Sequence, residues 1–259
     1  MTGLGLGVAA CSKRVAGGVV APAAAVTPTT EASTTSTTVG LPPIPPPRPG
    51  PAHVVSKGDP LTNQLALTID DGFSPETVAA YVAFAERTGL PITFSPNGHY
   101  GRTWEQHREA LAPLIERQQV QIANHTWSHR DLVAMSEAAV AEEIERNEAW
   151  IETTFGITAR PWFRPPFGHH SALVRDVAGQ HGFTKVLLWN GTFSDASNES
   201  SQQLLGFARR YLHAGVIMLG HANQPAVTHV FDQIEELIGE RRLAPVTLDE
   251  MFGTSRATG

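Results

Sequence analysis

The chain has 259 residues, 41% of them hydrophobic, and a formal net charge of −6. A mildly acidic balance with no basic run argues against nucleic acid and anionic membrane surfaces as partners and leaves a neutral polymer as the better fit. Cys11 is the only cysteine, which excludes internal disulfides and any thiolate metal cluster.

At the N-terminus, residues 1–11 close on Val8-Ala9-Ala10-Cys11, which reads as the end of a bacterial lipoprotein signal, where a small-residue site precedes a cysteine that becomes lipidated. Residues 1–10 carry no positive charge and their apolar stretch is short, so an ordinary cysteine in a tail is the competing reading. Residues 12–59 include Thr34-Thr35-Ser36-Thr37-Thr38 and Pro42-Pro43-Ile44-Pro45-Pro46-Pro47. They lack the clustered apolar surface that offsets ordering entropy, and the expectation is a disordered, extended linker. Such a spacer after a lipidated Cys11 holds a domain away from a membrane, and an extracytoplasmic place follows, either secreted or lipid-anchored at the cell surface. No later segment approaches the roughly 18 consecutive apolar residues of a membrane helix.

Residues 60–252 form one domain's length, enough for a single well-filled core, and 253–259 are expected to be a flexible tail. Strands are predicted at Leu65–Ile69, Ile92–Ser95, Val120–Asn124, Trp162–Arg164, Lys185–Trp189, Val216–Leu219 and Ala244–Thr247. Helices fall between them: one capped by Ser74 with Pro75 in its first turn, one from Ser136 toward Phe155 ended by Gly156, then Ser171–His181, Ser200–Leu212 and Thr228–Glu240. Alternation of this kind implies a parallel sheet with right-handed crossovers. About seven parallel strands suggest an α/β fold closed into a distorted (β/α) barrel, although a doubly wound open sheet gives the same string.

The unusual polar residues fall after strand ends, where such folds build their sites. Asp70 and Asp71 follow the first strand, Asn97 the second, His125 and His129 the third, Arg164 the fourth, Asp195 the fifth and His221 the sixth. Neighbouring strand residues face opposite ways, so both carboxylates reach one site only if Asp71 lies where the chain already turns at Gly72. His125 and His129 are four apart, a spacing that one helical turn stacks on a single face. Asp71, His125 and His129 then make a three-ligand metal shell with open positions, the mark of catalysis. Asp70 is left over as an acid. The same ligand types also serve ferrous oxygenases, but a spare carboxylate beside an arginine, with no anchor for a cosubstrate, favours hydrolysis.

Three segments carry a family resemblance: Thr68-Ile69-Asp70-Asp71-Gly72, Asn124-His125-Thr126-Trp127-Ser128-His129 and Arg164-Pro165-Pro166-Phe167-Gly168. In this order they resemble the first three motifs of the polysaccharide deacetylase domain, carbohydrate esterase family four. The resemblance implies a distorted seven-stranded (β/α) barrel and hydrolysis of acetyl groups from peptidoglycan, chitin-like glycan or acetyl xylan. The implied cofactor is a divalent metal, zinc first, with cobalt, nickel or manganese as substitutes. By motif, Asp70 resembles the general base, Arg164 the residue that orients it, and Asp71, His125 and His129 the metal ligands. The Phe167 N–H resembles the oxyanion donor, with Pro166 beside it. His221 resembles the general acid and Asp195 the aspartate that tunes it. The chain departs from the family pattern at Ala196, where a tryptophan is usual, and at Ala222, where an aspartate is common. Trp127 and Trp189 are the candidates for rebuilding the apolar wall against the substrate. The expected protein is a monomer acting on an N-acetylated glycan. The alternatives are an amidase acting on a small amide, an acetyl xylan esterase, and a wall-binding module without catalysis.

Overall fold

The computed structural model describes residues 41 and 43–254. Cys11, the first part of the expected linker and residues 255–259 lie outside them. In chain order the elements are β1 (His53–Val55), β2 (Gln64–Asp71), α1 (Pro75–Thr88), β3 (Ile92–Pro96), α2 (Gly101–Glu105), α3 (Arg108–Glu116), β4 (Val120–Ile122), α4 (Glu137–Phe155), β5 (Trp162–Phe163), α5 (Ala172–Gln180), β6 (Lys185–Leu187), β7 (Gly191–Thr192), α6 (Ser201–Tyr211), β8 (Val216–His221), α7 (Phe231–Glu240), β9 (Ala244–Pro245) and α8 (Leu248–Phe252). No helix among the described residues is long and apolar enough to cross a membrane.

All the paired strands run parallel. One sheet has the order β4-β3-β2-β8-β7, with β9 against the start of β2, and the other the order β1-β6-β5. A parallel bridge between Asn124 and Phe163 joins β4 to β5, so the strands follow one another around a distorted barrel. The seven strands expected from the pattern are present, and β1 and β7 add to them.

β1 corrects the expectation of a linker running to residue 59. Val54 pairs with Val186 in β6, and the Leu188 N–H donates to the Val55 carbonyl at 2.7 Å. Further along, the Gly58 N–H donates to the Gly215 carbonyl, just before β8, at 2.8 Å. The segment therefore laces the β6 side to the β8 side. Three residues between a proline tract and a strand are too few for periodicity to reveal, and only the partner strand supplies their hydrogen bonds.

Every residue of β2 but its first is buried, as expected of a strand covered on both faces. Leu65, Leu67 and Ile69 point to the large cluster under the helices. Ala66 alternates inward and packs in the barrel interior with Ala123, Trp162, Leu187, Ile217 and Leu248. Asp70, in phase with Ala66 and Thr68, stands at the C-terminal mouth of that interior. Helix caps follow the sequence signals: Ser74 accepts from the Thr77 N–H, Ser136 from the Ala139 N–H, and Gly156 ends α4 in the left-handed conformation. Helices α2, α3 and α8 were not expected. The first two are short and carry Gly101 and an internal Pro113, which blur the helical signal.

Candidate active site

By strand alternation Asp71 should face away from the barrel mouth. It does not, because its backbone takes φ = 72° and Gly72 continues at φ = 118°. That turn folds the Asp71 carboxylate back beside Asp70, as the sequence requires. A Cβ on Gly72 would lie 2.0 Å from Trp104 Nε1, the atom that donates to the Asp71 carbonyl at 2.8 Å. Glycine is needed there for both its conformation and its lack of bulk.

His125 and His129 do not lie on a helix, contrary to the expectation. They belong to an irregular loop after β4, and they converge because Thr126 (φ = 67°) and His129 (φ = 55°) are both left-handed. Such strain needs surrounding structure to hold it. Here the holders are Asn97, which donates to the His125 and Thr126 carbonyls, and Glu143 of α4, which accepts from the Ser128 N–H and hydroxyl. Buried Asn147, also on α4, accepts from the Gly98 N–H at 2.7 Å and donates to Pro96 and Asn124.

His125 Nε2 stands 3.4 Å and His129 Nε2 3.5 Å from Asp71 Oδ1. Four-coordinate zinc with bonds near 2.0–2.1 Å sets its ligand atoms about 3.3–3.4 Å apart, close to these two separations, and all three atoms lie within 4.8 Å of one another. Two further features fit a metal. Asp71 Oδ1 is buried with no hydrogen-bond partner. His125 Nδ1 lies 2.7 Å from the Arg164 carbonyl and must donate to it, which leaves the Nε2 lone pair facing the cluster. Burial opposes ionisation of Asp71, yet the close approach of His125 and the charges of His125, His129 and His221 hold its carboxyl below the usual range. Burial and the neighbouring His125 push His129 down, toward the neutral form a ligand needs.

Asp70 is excluded from this triad by its partner. Arg164, fully buried, donates from Nη1 to Asp70 Oδ1 at 2.8 Å, and Asp70 Oδ2 is 3.7 Å from His125 Nε2. One arginine thus orients the base candidate with its side chain and the His125 ring with its backbone carbonyl. Across the mouth, β8 pairs with β2 so that His221 lies beside Asp70. Buried Asp195 accepts from the His221 backbone N–H and from Nδ1, both at 2.9 Å, which turns Nε2 toward the cavity. Burial alone would depress His221, but Asp195 overcomes it with help from Asp70 and Asp71, and the imidazole is held at about 9.

Asp70, Asp71, His125, His129 and His221 line a cavity of about 240 Å³, together with Pro165, Phe167, Gly168, Trp189, Ala196, Leu219 and Asn223. A larger hollow, about 810 Å³, opens at the other end of the barrel beside Pro91, Val120 and Thr247, away from the metal-ligand cluster. Chemistry, not size, selects the smaller one. Phe167 is left-handed at φ = 59° and its ring stacks edge-on against His129. The Gly168 and His169 N–H groups donate to Pro165 and Pro166, whereas that of Phe167 finds no acceptor among the described residues.

Most of the expected site residues come together here, with two corrections. Trp127 is not on the cavity wall: its indole lies against Gly98, with the Arg146 guanidinium 4.0 Å from the ring centre on its face. Pro165 rather than Pro166 lines the cavity. Trp189 does line the wall, beside the small Ala196. Sequence reasoning missed Asn223, whose Nδ2 donates to Asp71 Oδ2 at 2.7 Å. The one available signal was its place two residues beyond His221 in the same loop.

Three side chains that could hold a metal ion, two of them buried, stand with a separate carboxylate–arginine pair and an aspartate–histidine pair at the mouth of a parallel barrel, where such folds build their sites. The chain belongs to the polysaccharide deacetylase family, whose model matches residues 57–186. Chitin deacetylase 1 of Saccharomyces cerevisiae is 27% identical over 196 residues, which cover 73% of this chain and 61% of that protein. Matches to the first curated relatives span from 61% to 72% of their length. Among solved structures, the Bc1960 peptidoglycan N-acetylglucosamine deacetylase superposes with a TM-score of 0.70 at 22% identity, covering 80% of this chain and 95% of that one. BA3943 from Bacillus anthracis, described as a pseudoenzyme of carbohydrate esterase family four, gives 0.68 at 19% identity, covering 78% and 69%. Likeness at these identities establishes the fold.

Proposed function

We propose that this chain is a divalent-metal-dependent hydrolase that removes acetyl groups from an N-acetylated polysaccharide, a peptidoglycan or chitin-like glycan. The observation that carries this reading is the convergence of Asp71, His125 and His129 next to Asp70–Arg164 and opposite His221–Asp195. The relatives named above as acting on chitin and on peptidoglycan N-acetylglucosamine support the substrate class.

Asp71, His125 and His129 would hold the ion, which when bound polarises the acetamide carbonyl and acidifies a water. Asp70, fixed by Arg164, accepts the proton of the attacking water. The Phe167 N–H donates to the oxygen on which negative charge develops, a contribution of about 3 kcal/mol where such donors have been removed. His221 Nε2–H delivers a proton to the departing amine nitrogen, and Asp195 holds that imidazole in the donating orientation. Water and acetamide become acetate and a free amine. The reading also places the domain outside the cytoplasm, where such polymers lie, with lipidation at Cys11 as the means of attachment.

The test measures acetate release from peptidoglycan, chitin oligomers and acetyl xylan, each with zinc and with cobalt. Release should stop on chelation and return with metal. Asp70→Asn should keep its metal and lose about 10²–10⁴-fold in kcat. Full activity in that variant would remove Asp70 from the base role, and no acetate from any polymer at full metal loading would favour a glycan-binding module without catalysis.

A further inference from the structure

Asn223 hydrogen-bonds the Asp71 carboxylate from outside the triad and belongs to none of the roles above. Its amide is used at both ends: Nδ2 donates to Asp71 Oδ2 at 2.7 Å, and Oδ1 accepts from the Phe73 N–H at 3.1 Å. The two partners settle which end is nitrogen, since a carboxylate only accepts and a backbone N–H only donates. Asp71 is therefore clamped twice. Trp104 Nε1 holds its carbonyl from one side, and Asn223 holds its outer carboxylate oxygen from the other. Only Oδ1 remains free of hydrogen bonds, and it is the oxygen that faces His125 and His129.

We propose that Asn223 is a positioning residue for metal binding: by engaging Asp71 Oδ2 it makes Asp71 a one-oxygen ligand and preorganises Oδ1 against the two imidazoles. The proposal rests on the metal reading above and goes beyond it by assigning a determinant of affinity to the β8 loop. That loop already ties itself to the β2 turn through the Ala222 N–H on the Asp70 carbonyl and the Ser74 N–H on the Ala222 carbonyl. Asn223 adds the side-chain link. It couples the element that carries His221 to the element that carries Asp71, so the acid and the ligand keep a fixed relation. Partners of this kind to metal-ligating carboxylates are worth 10–100-fold in affinity.

The experiment uses the full chain and zinc alone, with affinity read by competition against chelators of graded strength. Asn223→Ala should weaken zinc binding about 10–100-fold. In an Asp71→Ala background, the same substitution should change zinc affinity by less than about threefold, because the carboxylate it orients is gone. The melting temperature of the metal-free protein is followed in parallel. An Asn223→Ala protein that melts lower but binds zinc as tightly as its parent would show a merely structural tie and overturn the proposal. An equal loss of affinity in both backgrounds would overturn it too. A parent chain that binds no zinc overturns the metal reading beneath it, a result plainly different from a variant that binds as well as a competent parent.

Discussion

Asp195 accepts both N–H groups that His221 offers toward it, and this pair makes the clearest pH prediction at the residue scale. The free imidazole titrates near 6.5, and in the folded, metal-free protein it is held at about 9, so the folded state binds the proton more tightly than the unfolded chain. The resulting stabilisation is complete below about pH 6.5 and is lost as pH rises through about 9. Proton NMR of the His221 ring should show that high titration in the metal-free protein. Asp195→Asn removes the main opposing influence to burial and should lower the titration well below 9, flattening the alkaline loss of stability. Bound metal adds positive charge nearby and should lower it as well. A ring that still titrates near 9 without the Asp195 carboxylate would mean that another group holds the proton.

At the scale of elements, α4 is the buttress of the ligand loop. Along one face it presents Glu143 to Ser128, the Ile144 carbonyl to Asn124, Asn147 to Gly98 and Pro96, and Glu148 to Asn124 and Arg160. The left-handed backbone at Thr126 and His129 persists because these bonds over-determine it. Asn147→Ala would strand buried partners at the Gly98 N–H and the Pro96 carbonyl, at a cost of about 1–3 kcal/mol for each unsatisfied group. Urea unfolding should show that loss. Zinc affinity should fall with it, since His125 and His129 hang on the same loop.

For the whole molecule, the decisive feature is the closure made by residues 53–58. A chain beginning at residue 61 loses β1, with its pairing to Lys185–Leu187 and the Gly58–Gly215 link. It should melt lower than a chain beginning at residue 41, by about 4–8 °C if the lost interactions are worth about 2 kcal/mol. Equal melting temperatures would show that the seam between β6 and β8 is held without it.

The strand–helix alternation, the caps at Ser74 and Ser136 and the position of each polar residue after a strand were legible in the sequence, because they depend on spacing and on side chains interacting with nearby backbone. The candidate ligands Asp71, His125 and His129 could be named for the same reason, because residue type and order single them out before any geometry does. What only the tertiary structure decided is how those residues meet. His125 and His129 converge through left-handed backbone rather than a helical turn, Trp127 packs against Gly98, β1 pairs with β6 and Asn223 hydrogen-bonds Asp71. Each depends on a partner distant in the chain, and local periodicity carries no information about partners that only folding brings within hydrogen-bonding reach.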